Sequence, residues 1–219
     1  DSINYAERIQ RSLLPEDNAL KISLPEHFIL FKPRDIVSGD FYWVGEKNDQ
    51  LYVSAADCTG HGVPGAFMSM LGISFLNEII NKAQDIGPDE ILNQLRKYII
   101  KALKQTPGHT GDSKDGMDMV MVSFDKKGKV LSFSGANNPI YRIRNNELLE
   151  IKGDKMPVAI HETMKPFTKH DFKINRGDTF YFFSDGYADQ FGGPNAKKFL
   201  AKNFKSLIVN IQAKSMKEQ

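Results

Sequence analysis

Apolar positions recur at helical spacing in "SINYAERIQRSLL" (residues 2–14), where Ile3, Ala6, Ile9 and Leu13 share one face and Pro15 ends the run. Residues 1–15 are therefore read as a linker or switch helix, and residues 16–219 as the domain behind it. Next come short apolar runs. "HFILFKP" (27–33) predicts a strand, and "GDFYWVGE" (39–46) with "QLYVSAAD" (50–57) predicts a hairpin turning at 47–49. "PGAFMSMLGISFLNEIINKA" (64–83) and "GPDEILNQLRKYIIKAL" (87–103) predict two helices, the first too apolar to be exposed, so it should cover a sheet. After a polar loop (105–116), "MDMVMVSFD", "KVLSFSG", "PIYRIR" and "ELLEIK" follow one another with only "KKG", "ANN" and "RNN" between them. Such links are too short for parallel crossovers, so the sheet must be largely antiparallel. "FTKHDFKI" and "DTFYFFSD" predict two more strands, and residues 195–219 read as a Lys-rich helical tail. The pattern as a whole is α+β, with helices layered on antiparallel sheets.

Composition narrows the chemistry only a little. A net charge of +2 gives no bias towards nucleic acid or membrane surfaces. Cys58 is the single cysteine, which excludes an internal disulfide framework and fits a reducing, cytoplasmic setting. No apolar run in the sequence reads as a membrane span. The chain opens on Asp1 rather than methionine, so it is expected to be a piece of a longer protein.

Two motifs remain. Gly60, Gly62 and Gly65 in "ADCTGHGVPG" fit G-x-G-x-x-G, the dinucleotide pattern. That reading needs a parallel strand straight after the glycine helix, and a second helix follows instead. The second motif is acidic. Asp57 and Asp185 each end an apolar run, and Asp40 starts one. An acid there also suits a turn or a cap. Three such acids beside glycines in one chain suggest more. Clustered carboxylates repel unless a cation lies among them, and an all-oxygen set favours Mg2+ or Mn2+. The five histidines (His27, His61, His109, His161, His170) lack paired zinc-ligand spacing.

"DIVSGDFYW", "ADCTGHGVPGAFMSML", "LSFSGANNPIYRIR" and "FYFFSDGYADQFGG", in that order, resemble the PPM metal-dependent Ser/Thr phosphatases, in particular their bacterial SpoIIE-like, RsbU-type branch. The resemblance runs from about residue 10 to about 193. It implies an αββα sandwich with two Mn2+ or Mg2+ ions between the sheet edges, and direct attack of a metal-bridging water on phosphoserine or phosphothreonine. By motif match Asp57 bridges both ions, the backbone carbonyl of Cys58 binds one, and Asp40 and Asp185 complete the two sides. Asp189, Asp118 and Asp115 are candidates for a third ion. His61 is a candidate proton donor and Arg34 a candidate phosphate holder, against plain loop-packing and surface roles.

The family closes with an "x-D-D-x-T/V" strand that nothing after Ser184 supplies, so the chain is expected to continue beyond residue 219. The resemblance implies a signalling output module acting on a phosphoprotein such as an anti-sigma-factor antagonist. An upstream sensor domain, and a homodimer formed through the N-terminal helix, are the other expected partners. A catalytically silent phosphoprotein-binding module with the same fold is the alternative.

Overall fold

Two-residue turns set the register of both sheets. In the computed structural model, which describes residues 1–106, 115–125, 129–194 and 196–219, β1 (Phe41–Lys47) pairs antiparallel with β2 (Gln50–Cys58). Asn48 and Asp49 between them both take positive φ, 50° and 62°. This is the turn whose twist matches that of a hairpin. Asn145 and Asn146 repeat it, at 51° and 63°, between β5 (Ile140–Arg144) and β6 (Glu147–Ile151). The predicted turn at 126–128, residues 107–114 of the polar loop with His109, and Asn195 lie outside the described residues.

The first sheet runs β1-β2-β3-β4-β7, with β3 (Met117–Asp125), β4 (Val130–Ala136) and β7 (His170–Lys173); the second runs β6-β5-β8, with β8 (Thr179–Tyr181). All pairings between these strands are antiparallel.

Period-two alternation sorts each strand onto two cores. Met117, Met119 and Met121 of β3 face α3 (Gly62–Lys82) and α4 (Pro88–Ala102), where Leu76, Ile91, Leu92, Leu95 and Ile99 are fully buried. Val120 and Val122 face the other way and pack with Leu131, Phe133 and Ile140, against Ile151 and Phe180 of the second sheet. That sheet's outer face carries Tyr141 and Ile143, covered by Phe204 and Ile208 of α5 (Ala201–Asn210). The layers are helix, sheet, sheet, helix, the expected αββα sandwich. α3 is long and apolar enough to cross a membrane by length and composition, which the sequence reading did not note, but half of it is buried against the sheet, as suits a core helix.

Several expectations need correcting. Residues 27–33 form no strand. They lap from one sheet to the other, Phe28 packing edge-on to Tyr181 and Phe31 to Tyr42. β8 stops at Tyr181, short of Asp185. Among the described residues the tail is helical only over α5, and residues before it form a small ribbon of β9 (Phe191–Gly192) and β10 (Lys197–Lys198). A short α2 (Asp17–Ser23) was not foreseen. The predicted N-terminal helix is α1 (Ser2–Leu13), but its inward residue is Gln10, 5% exposed, while Ile9 and Leu13 stay 38% and 39% exposed.

Candidate metal centre

The strand alternation that packs the half-buried Val53 between the sheets puts Asp57, four residues on, on the same face. Asp118 is its register partner on β3 and shares the face of Val120 and Val122. Asp40 directly precedes Phe41, which pairs with Ala56, so Asp40 stands beside Asp57 across the hairpin. Asp185 follows β8 on the opposing sheet. Acids from four distant parts of the chain thus meet at one mouth between the sheets.

Their electrostatics show how close they are. The Asp57 carboxyl is pushed up to about 8, first by burial, then by the charges of Asp40 and Asp185 and by hydrogen bonds shared with both. Asp118 is raised by burial and by the charge of Asp185, against the Asn137 amide, which donates to it at 2.8 Å. Ser184 Oγ donates to Asp40 Oδ2 at 2.6 Å. Among the described residues no three His, Cys, Asp or Glu side chains converge as a finished ligand set. The acids are drawn together around Asp57 rather than around a common point. The donor set, carboxylates and a backbone carbonyl, fits a hard divalent cation and no soft one.

The glycines pack backbone against backbone. A Cβ on Gly39 would stand 2.7 Å from the Gly60 carbonyl and 3.2 Å from that of Cys58; one on Gly65 would stand 2.6 Å from the Gly60 carbonyl. Gly60 itself has φ of 84°. The start of α3 can therefore lie directly on the Asp40 loop, with the Cys58 carbonyl beside it. The dinucleotide-binding reading of the glycines fails on topology, since α3 leads into α4 and not into a parallel strand.

The remaining candidates are less central. Asp189 closes a turn onto the Asp185 carbonyl and ion-pairs with Lys198 at 2.6 Å. Asp115 accepts from Thr59 Oγ1 at 3.0 Å. His61 Nδ1 lies 3.0 Å from Asp35 Oδ2, both near the surface. Arg34 is exposed in the segment before β1.

Sequence reasoning missed Ser184 and Asn137, the neutral donors to Asp40 and Asp118. It also missed a polar clasp. Gln10 Nε2 donates to the Ser38 carbonyl at 2.6 Å and to Ser69 Oγ at 2.8 Å, while its Oε1 accepts from Ser38 N–H at 2.9 Å. The clasp ties α1 to α3 and to the loop that carries Asp40. A glutamine in line with Ile3, Ala6 and Leu13 was the available signal.

Known proteins share this fold. The family model described as Stage II sporulation protein E (SpoIIE) matches residues 47–219. Phosphoserine phosphatase RsbU of Bacillus subtilis (strain 168) is 22% identical over 198 residues, covering 85% of this chain and 53% of its own, so the chain spans about half the length of that relative. The SiaA-PP2C domain of Pseudomonas aeruginosa superposes with a TM-score of 0.87 at 32% identity, over 100% of this chain and 84% of that one. The catalytic domain of the serine/threonine phosphatase PstP, solved with two manganese ions, shares the fold at a TM-score of 0.52 and 15% identity, over 86% and 87% of the two chains. Motif order, layer architecture and the acidic mouth between the sheets lead to the same place as these likenesses: the chain belongs to the SpoIIE family of PP2C-type serine/threonine phosphatase domains.

Proposed function

We propose that this domain hydrolyses phosphoserine or phosphothreonine in a partner protein with the help of two divalent cations of the Mn2+ or Mg2+ class. The observation that carries the reading is the gathering of Asp40, Asp57 and Asp185 at one mouth, with Asp57 pushed up to about 8 by burial and its acidic neighbours. Like charges held this close suit a hard cation among them. Asp57 would be shared between two ions, with Asp40, Asp185 and the Cys58 carbonyl on either side; Asp118, Asp115 and Asp189 are the candidates for a third. When bound, such ions supply the acidity that makes water a nucleophile at neutral pH and the charge that phosphoryl transfer requires.

The chain's own residues position these parts. Ser184 holds one oxygen of Asp40. Gly39 keeps the Cys58 carbonyl free of a side chain that would stand 3.2 Å from it, and Gly65 lets α3 close on the Gly60 carbonyl. His61 Nδ1 lies against Asp35 Oδ2 at 3.0 Å, which occupies that ring nitrogen. Nε2 is then the atom through which His61 would serve a departing serine oxygen. Arg34, six residues before Asp40, would hold phosphate.

The RsbU relative, named a phosphoserine phosphatase, supports phosphoserine as substrate. We place the domain in the cytoplasm as a signalling output. Its substrate would be of the anti-sigma-factor-antagonist type, and α1 would be the link to a sensor and to a second copy. Turnover of a phosphoserine peptide with Mn2+, stopped by EDTA and by Asp57→Asn, is the expected result. EDTA-resistant turnover would overturn the metal mechanism, and phosphopeptide binding without turnover would favour the silent binding module.

A further inference from the structure

The fold hands Asp189 a cation of its own. Lys198 Nζ lies 2.6 Å from Asp189 Oδ2, and the two side chains are partly exposed, at 39% and 44%. Asp189 also donates its N–H to the Asp185 carbonyl at 2.9 Å, which closes one turn of helix. Side chains four apart on such a turn are neighbours. The acid that Lys198 holds is thus one turn from Asp185, whose charge and hydrogen bond reach Asp57.

The ion pair does not place itself. Residues 197–200 run back along 188–192. Lys197 and Lys198 pair with Gly192 and Phe191, Phe199 N–H donates to the Gln190 carbonyl at 2.8 Å, and Leu200 N–H donates to that of Ala188 at 2.7 Å. Tyr187, inside the turn, packs edge-on against Phe199 and tilted against Phe204 of α5, with ring centroids 5.6 and 5.2 Å apart. Leu200, the last residue before α5, takes φ of 72°. A bulky residue there is a backbone outlier, of the kind that persists where its surroundings fix it. Backbone bonds and ring contacts therefore set Lys198 beside Asp189 before any ion arrives. An exposed pair of this kind adds little to stability. Its effect falls instead on anything else that would use the Asp189 carboxylate.

We propose that Lys198 is a tethered counter-ion for Asp189, one that a divalent cation must displace, so that it weakens the last ion to join the metal centre. The proposal rests on the metal reading of the site and deepens it. Lysine suits the part, because its ammonium is a point charge on a flexible four-carbon stem and can swing away while the ribbon stays in place. Lys197 supplies an internal control. It carries the same charge one position earlier on β10, where strand alternation turns it to the opposite face.

The test is Mn2+ calorimetry on the full chain, with circular dichroism as the check on folding. Lys198→Met keeps most of the stem and removes the charge. It should tighten the weakest Mn2+ by about two- to fivefold, the weight of an exposed ion pair, and leave the tighter ions unchanged. Lys198→Arg and Lys197→Met should not tighten it. Asp189→Asn should abolish the weakest event and, with it, any effect of Lys198→Met. Unchanged affinities in Lys198→Met overturn the counter-ion role, as does an effect that persists in Asp189→Asn. Equal tightening by Lys197→Met reduces the effect to overall charge and overturns it too, and so does a count of two bound ions in both wild type and Lys198→Met. Asp57→Asn judges the underlying reading separately. If it leaves Mn2+ binding whole, the two-ion centre falls. If it abolishes binding while Lys198→Met changes nothing, the centre stands and the tethered counter-ion alone is wrong.

Discussion

Asp57 has an ordinary carboxyl value of 3.8 and is held at about 8 in the fold, by burial first and by Asp40 and Asp185 next. Between those values the folded state binds a proton that the unfolded state has released. Stability is therefore greatest below about 4 and falls as pH rises towards about 8. In EDTA the melting temperature should drop across that window. Mn2+ should flatten the slope by taking the proton's place, and Asp57→Asn should reduce it, leaving the part that belongs to Asp118, which burial also raises. A melting temperature independent of pH in EDTA would contradict this account. Ser184 acts through Asp40, so Ser184→Ala should weaken Mn2+ affinity or turnover by about 10-fold, less than loss of a direct ligand. Gly65→Ala places a methyl group 2.6 Å from the Gly60 carbonyl. It should cost about 1–3 kcal/mol in urea unfolding, because backbone rather than a flexible side chain must move.

At the scale of elements, the question is what holds α1. Its apolar stripe suggested packing by Ile9 and Leu13, whereas the closest tie is the Gln10 clasp on Ser38 and Ser69. Gln10→Ala takes away the acceptor of the buried Ser38 N–H, while the Ser38 carbonyl keeps Ser69 Oγ, and should cost about 1–3 kcal/mol. Ile9→Ala and Leu13→Ala remove half-exposed side chains and should each cost under about 1 kcal/mol. Ser38 lies two residues before Asp40. If α1 carries a signal, Gln10→Ala should therefore change turnover by more than either apolar variant does, measured at a temperature where all remain folded. Equal turnover in all three would make α1 ordinary packing.

At the scale of the molecule, the two cores are separable. Leu95 is fully buried between α4 and the first sheet, and Phe133 is fully buried between the sheets. Leu95→Ala should cost about 2–5 kcal/mol and Phe133→Ala about 3–5 kcal/mol. Asp57 and Asp185 stand on opposite sheets, so only Phe133→Ala, which loosens the contact between them, should also weaken Mn2+ binding in calorimetry. Equal Mn2+ affinity in both variants would show that the mouth holds its shape without the inter-sheet core.

Local patterns in the sequence determined most of the elements. Period-two runs placed β1 to β7, and helical spacing with Pro88 placed α4. Asn–Asp and Asn–Asn pairs placed the two hairpin turns, because only a few residue types tolerate positive φ. The same local patterns singled out Asp40, Asp57 and Asp185, since an acid ending an apolar run departs from the residues around it. Residues 27–33 misled because a β-rich run becomes a strand only if another strand is there to pair with it, and that is decided by distant chain. Gln10, Ser184 and Asn137 were illegible for the same reason: a polar side chain does not say which buried partner it will meet. The sequence by itself determined which residues were available as ligands and which face of each strand they occupied. The hairpin already sets Asp40 beside Asp57; only the packing of one sheet on the other decided that Asp185 comes up to them, because that approach is set across the sheets and not along the chain.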